Sequence, residues 1–312
     1  MLTGRLYIDG KDAFTEYGMY VVEGGWNELI AWAPLKTPDY NEWQEEDGIE
    51  ADLSDPQLNT KEASIKFATP KLMGDYLKLL EAISDEAYHT FDCRSIGRIF
   101  RLRLTSQPSI DKERDFGFVA LKFAVDNPLD GYEYSSPQSD IPENDDYTLD
   151  GRPLSYWGVF VLKGTMAEVL KTANVKPNLL RNIKTKSGAQ YDPKTVTYKS
   201  KDVKINCLMR AKTLAQLWRN YDALLYDLIR PEERILEAND IVEEFPCYYK
   251  SCTVNALYTT GKIWLDFTIT LTFTRDFRIG TEPLLATEDG LFVVTEDYNE
   301  NEYITLKPNN QE

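Results

Sequence analysis

Histidine is almost missing from this chain: His89 is the single one among 312 residues. Without a second histidine there is no histidine pair for a metal. Without a G-x-S-x-G elbow there is no serine for His89 to activate, so the sequence predicts a structural histidine. The four cysteines, Cys93, Cys207, Cys247 and Cys252, form no C-x-x-C pair. They read as reduced core thiols of a protein that folds in a reducing cytoplasm. No apolar run reaches the roughly 18 residues of a membrane helix, and `MLTGRLYIDG` carries no basic stretch followed by an apolar one, which predicts neither export nor insertion. No P-loop is present and no G-x-G-x-x-G follows a strand, so no cofactor is expected.

Positive charge is also scarce: the formal net charge is −16. That excludes a general nucleic-acid binder, which needs a basic footprint. The deficit is uneven. Residues 1–146 carry 29 acidic and 14 basic side chains, whereas residues 147–278 carry 14 and 20.

What the sequence does contain is itself, twice. `LYIDGKDAFTEYGMYVVEGG` (6–25) is answered by `YTLDGRPLSYWGVFVLKG` (147–164). From Gly18 onward the halves match at a constant offset of 140: Gly18 with Gly158, Gly24 with Gly164, Ala33 with Ala173, Lys36 with Lys176. Upstream, Asp9-Gly10 pairs with Asp150-Gly151, one residue being deleted in a turn. Such self-similarity predicts a duplicated supersecondary unit. The glycines fit turns that require positive φ.

Each half continues with an alternating strand, `EASIKFA` (62–68) or `DVKINCLM` (202–209). A one-striped helix follows, marked by Leu72, Tyr76, Leu79, Leu80 and Ile83 or by Leu214, Leu217, Tyr221, Leu224, Leu225 and Leu228. Further strands close each unit: `AYHTFDC`, `RIFRLRLTSQ` and `FGFVALKFAVD` in the first, `PCYYKSCTVNAL` and `KIWLDFTITLTF` in the second. Ile99, Leu102 and Leu104 alternate with arginines there, as in a sheet with one wet face. The expected fold class is α+β, mainly β. Residues 1–128 form a first domain, 129–146 an acidic linker, 147–278 a second domain repeating the first, and 279–312 a hairpin-like tail turning at Asp289-Gly290.

The carboxylates of `DYNEWQEEDGIEADLSDPQ` (39–57) lack the spacing of a calcium loop. A hydrolase reading would rest on Glu45, Glu46 or Asp47. Residues 38–62 hold nine acidic and one basic side chain, against two and six in 179–202. Opposite charge on equivalent loops suits units set side by side. The candidate assembly interface is therefore Glu42, Glu45, Glu46, Asp47, Glu50 and Asp52 against Lys184, Lys186, Lys194, Lys199 and Lys201.

The Asp-Gly and aromatic-x-Gly turns, `KTPDYNEW`, `EEDGIEADLS` and `YHTFDCRSIGRIFRLRLTSQPS` resemble the ring-forming N-terminal domain of bacteriophage distal tail proteins, especially those of phages and prophages from Bacteroides-like gut bacteria. The second copy resembles the same family more loosely. The resemblance implies two tail-tube-like domains, each a β-sandwich or partial barrel with one flanking helix. It implies a non-enzymatic tail-tip or baseplate protein forming a ring, as a trimeric pseudo-hexamer or a hexamer. Its partners would be the tail-tube protein and a tip or hub protein, with DNA only as cargo in the lumen and no membrane. The protein would be made in the host cytoplasm and reside in the virion tail. Two such domains in one chain resemble hub proteins, since most distal tail proteins carry one. A carbohydrate-binding or adhesion module is the alternative, with Trp26, Trp32, Trp43 and Trp157 as stacking candidates.

Overall fold

The structure is a computed structural model. It describes residues 2–70, 74–85, 87–113, 116–176, 181–182, 184–185, 187–190, 196–238, 241–275, 294–297 and 300–303. Two compact units are present, Met1–Asp276 and Phe277–Glu312.

The first unit holds both halves of the repeat. The first half runs β1 (Tyr7–Ile8), β2 (Lys11–Asp12), α1 (Ala13–Tyr17), β3 (Tyr20–Val21), α2 (Asn27–Ile30), β4 (Tyr40–Asn41), β5 (Glu50–Ala51), β6 (Lys61–Thr69), α3 (Gly74–Ile83), β7 (His89–Cys93), β8 (Arg98–Glu113) and β9 (Phe116–Val125). The second runs β10 (Tyr147–Leu149), β11 (Arg152–Pro153), a 3₁₀ turn (Leu154–Trp157), β12 (Val159–Val161), α4 (Thr165–Leu170), β13 (Arg181–Asn182), β14 (Ala189–Gln190), β15 (Lys201–Ala211), α5 (Leu214–Leu228), β16 (Arg234–Ala238), β17 (Ile241–Tyr258) and β18 (Ile263–Phe273). In the second unit, β19 (Val294–Asp297) pairs with β20 (Glu300–Tyr303) as an antiparallel hairpin. Asp289-Gly290 lies outside the described residues.

The fold is α+β and mainly β. Each half builds a seven-stranded sheet, and the strand orders correspond one for one: β2-β1-β7-β8-β9-β6-β3 and β11-β10-β16-β17-β18-β15-β12. The likeness extends to irregularities. A bulge falls between Leu104 and Ser106 where β8 meets β9, and another between Tyr249 and Ser251 where β17 meets β18. Bulges re-aim a strand and are fixed features of a fold, so their coincidence identifies the halves as copies of one module.

Turn chemistry repeats as well. Asp9, Gly10, Gly18 and Gly24 have positive φ, as do Asp150, Gly151, Gly158 and Gly164. The missing residue falls after the Asp-Gly pair: the first copy makes an α-helical turn, α1, and the second a tighter 3₁₀ turn of four residues.

Alternation along β6 and β15 is as the pattern requires: Ala63, Ile65 and Phe67, and Val203, Ile205, Cys207 and Met209, are buried. The helix stripes bury Tyr76, Leu79 and Ile83 on α3 and Leu217, Tyr221, Leu224, Leu225 and Leu228 on α5. All four cysteines are free and buried. Ile99 departs from expectation: it is exposed while Leu102 is buried. An odd separation of three places them on opposite faces of one strand.

Two lysines at offset 140 do the same work in each copy. The Lys61 ammonium donates to the carbonyls of Leu29, at 2.6 Å, and of Ala31, at the end of α2. Lys201 donates to Val169 at 2.5 Å and Lys171 at 2.9 Å, at the end of α4. A helix this short cannot satisfy its terminal carbonyls, and the lysine supplies the donor from the neighbouring strand. Burial pushes the Lys61 ammonium down to about 7 and that of Lys201 to about 8.

Candidate assembly interface

The two copies meet inside one compact unit across a surface that joins an aromatic cluster to a lysine socket. Trp32 follows α2, and its ring stacks on Tyr221 of α5 at 4.4 Å and meets Tyr249 and Phe267 edge-on. The phenol of Tyr221 donates to Ile30 O at 3.2 Å and that of Tyr249 to Ala33 O at 2.8 Å. Burial raises both phenol pKa values well above normal, so these hydroxyls stay protonated donors. Arg98 forks onto Asp222 at 2.7 and 2.8 Å, and the Trp218 indole donates to Ile96 O at 2.7 Å. Burial raises the Asp222 pKa, with Arg98 opposing that shift.

Beyond this cluster, the hairpin β4–β5 reaches across the second copy. Lys176 is 0% exposed, and its ammonium donates to Trp43 O at 2.6 Å, Glu46 O at 2.8 Å and Gly48 O at 2.8 Å. Three backbone carbonyls fill the three donor positions of an ammonium, and the Glu42 carboxylate stands 3.8 Å away. Gly48 N donates to Tyr198 O at 2.7 Å, Ile49 N to Thr274 O at 2.9 Å and Thr197 Oγ1 to Gln44 O at 2.8 Å. The side chain of Asp47 accepts from Tyr198 N at 2.7 Å.

Among the described residues, the acidic loop meets the second copy of its own chain mostly through main-chain atoms. Of the carboxylates, Asp47 and Glu42 face the second copy. Glu45 is exposed, Glu46 takes part by its carbonyl, Glu50 accepts from the Trp43 indole at 3.5 Å, and Asp52 closes a turn with Ser54. Lys184 and Lys199 are exposed, Lys201 is buried beneath α4, and Lys186 and Lys194 lie outside the described residues. Lys176 is the residue that charge counting passes over. Its one sequence signal is its place in the repeat, opposite Lys36.

Gly48 shows how closely the hairpin is seated. A Cβ added there would lie 1.6 Å from Thr274 O, whereas one added at Gly188, its counterpart, meets nothing within 4 Å among the described residues. Both glycines have positive φ, so an alanine costs either about 1–2 kcal/mol of backbone strain. Gly48→Ala is expected to cost a further ~1–3 kcal/mol by displacing the hairpin, a difference that urea unfolding of the two variants resolves.

His89 is accounted for by the repeat. Its Nδ1 lies 2.7 Å from Asp9 Oδ2 and its Nε2 2.7 Å from Asp85 Oδ1. In the second copy Arg234 Nη1 lies 2.7 Å from Asp150 Oδ2. Both aspartates accept from the next strand, Asp9 from Thr90 N at 2.8 Å and Asp150 from Ile235 N at 2.9 Å. The position requires a cation that clips the Asp-Gly turn to the sheet, and histidine or arginine serves. Burial lowers the His89 pKa, but its hydrogen bonds to Asp9 and Asp85 outweigh that and the net shift is upward. The stabilisation from protonated His89 is complete below its unfolded pKa of about 6.5 and is lost as pH rises through the folded value. His89→Arg is expected to remove this component, so the wild type should fall behind the variant as pH increases, in melts recorded across that range.

Among the described residues no group of three or more His, Cys, Asp or Glu side chains is placed to hold a metal, and no helix is long and apolar enough to cross a membrane. Trp32 and Trp157 are buried and unavailable for stacking on a sugar, while Trp43 is 53% exposed.

The chain is structurally similar to a phage protein. The crystal structure of the SPP1 Dit protein (gp 19.1), described as a paradigm of the hub adsorption apparatus in Gram-positive infecting phages, covers 86% of this chain and 98% of its own, with 14% identity and a TM-score of 0.31. No protein-family model matches the chain, and no curated protein matches its sequence.

Proposed function

We propose that the chain is a non-enzymatic structural subunit of a phage or prophage tail tip or baseplate, forming a ring that continues the tail tube and anchors tip proteins. The observation that carries this reading is the use of charge at the junction of the copies: Lys176, fully buried, spends its three donors on carbonyls of the other copy. A buried cation used this way holds modules together and is closed to substrate. His89 supports the same reading, because the equivalent arginine in the second copy could not act as a base at neutral pH.

Repeated β-rich modules suit a ring, and in this reading the ring lies between the tail-tube protein on one side and a tip or hub protein on the other. The net charge of −16 suits a channel that DNA crosses as cargo, since acidic walls repel phosphate over about 8 Å at physiological salt. The test is negative-stain microscopy of the purified chain alone and mixed with a phage tail-tube protein. Discrete rings with a central hole, alone or capping tube ends, are expected. Monomers that neither close nor bind tubes would contradict the proposal.

A further inference from the structure

The contact between the copies is used once, although the chain carries its parts twice. The segments linking Lys36 to Lys61 and Lys176 to Lys201 have equal length, and each holds a hairpin of one register: Asn41 faces Glu50 as Arg181 faces Gln190. In the first copy this hairpin is seated, with Gly48 against Thr274; in the second, a Cβ added at Gly188 meets nothing within 4 Å among the described residues. The socket is also duplicated and half used. Lys176 is filled by three carbonyls, while its counterpart Lys36 is exposed with no side-chain partner among the described residues. The apolar edge agrees. Ile30 is 2% exposed and its counterpart Leu170 49%; Leu35 donates its N–H to Lys250 O at 3.0 Å, while its counterpart Val175 is 46% exposed.

We infer that the second copy of one chain docks on the first copy of another chain as the first copy docks on the second within a chain. This rests on the reading of the protein as a ring subunit and supplies the contact that closes the ring. The hairpin of β13 and β14 lays the Gly188 carbonyl on Lys36 of the next chain, as Gly48 lays its own on Lys176. Strand pairing fixes a second point: Leu104 opposes Phe123 as Tyr249 opposes Leu271, so Thr105 stands where Lys250 does and Val175 comes to lie beside it.

Charge favours this pairing. The segment 179–202, with six basic and two acidic side chains, lands on the half that carries 29 acidic and 14 basic ones. The contact is heterologous, with unlike surfaces meeting, and such contacts generate rings when the rotation closes. It is also the weaker of the two. Thr172 occupies the place of Trp32, and Leu104 that of Tyr249, so the aromatic stack is not repeated between chains. The junction within the chain is permanent and the junction between chains reversible, with salt weakening it.

The test is disulfide trapping in the full chain, whose own cysteines are buried. Val175→Cys and Thr105→Cys, made separately and mixed under mild oxidation, are expected to give a covalent dimer. The double variant is expected to give a ladder ending at the ring. Adding Lys36→Glu should remove most of the product, and raising the salt should lower its yield. Leu35→Cys with Lys250→Cys, which links within one chain, serves as the positive control. If the control forms and Val175 never links to Thr105, in solution or on tube ends, the inference is overturned. Rings observed in that case would leave the structural role standing with another contact, whereas absence of both rings and cross-link would remove the role as well.

Discussion

Replacing Lys176 by Met should destabilise the protein by about 3–5 kcal/mol, because three backbone carbonyls lose the buried ammonium that they share while the methionine fills the same stem volume. The cost arises from the acceptors left behind. Trp43 O, Glu46 O and Gly48 O lose their common donor, and the Glu42 carboxylate loses the cation 3.8 Å away. Urea unfolding measures the loss, and hydrogen exchange locates it: amides of Gly48 and Ile49, which bond to Tyr198 and Thr274, should lose protection first. Lys36→Met, at the exposed counterpart, should stay within about 0.5 kcal/mol of wild type in the isolated chain. Equal effects at the two lysines would show that Lys176 is no socket.

Trp32→Ala should cost a comparable ~3–5 kcal/mol, the range for emptying a large aromatic site. The indole stacks on Tyr221 at 4.4 Å and touches Tyr249 and Phe267, all from the second copy, so its loss opens a cavity between the copies rather than inside one of them. Calorimetry should then show the melting transition broaden or divide, because the aromatic cluster is what lets the halves unfold together. Trp43→Ala is the control: that side chain is exposed, and its removal should leave the melt nearly unchanged. A glycan array in which Trp43→Ala abolished binding would favour an adhesion module instead.

Much of this architecture is legible in the residues. The alternation in β6, β15 and β18 and the stripe on α5 are strong periodic signals, because one face of each element is buried along its whole length. The Asp-Gly and aromatic-x-Gly turns locate the repeat before any strand is placed. The short elements α1, α2 and α4, at four to six residues, span too little chain to show a period. Strand β16 escapes the pattern as well, lying between a proline-bearing turn and the acidic stretch before `PCYYK`.

The site is harder to read than the fold. Counting charges treats every lysine as solvated, so Lys201 enters the candidate interface although it caps α4 from beneath. Lys176 is passed over because its burial depends on a hairpin some 130 residues earlier in the chain. Asp47 faces the second copy, and one partner there is a backbone N–H of Tyr198, a group invisible to charge patterning. A lone histidine draws attention as a catalyst. Its equivalence to Arg234 requires the strand register, because the offset between the copies is no longer 140 in that region.

The central claim is that one interface, built within the chain, is repeated between chains. An electron cryo-microscopy reconstruction of the assembled ring tests it most directly. The account predicts that superposing the first copy on the second carries the intrachain junction onto the interchain junction, with Lys36 beneath the β13–β14 hairpin of the next subunit. A ring whose chains meet through other surfaces, or a two-fold dimer that leaves Lys36 and Val175 open to solvent, would contradict it.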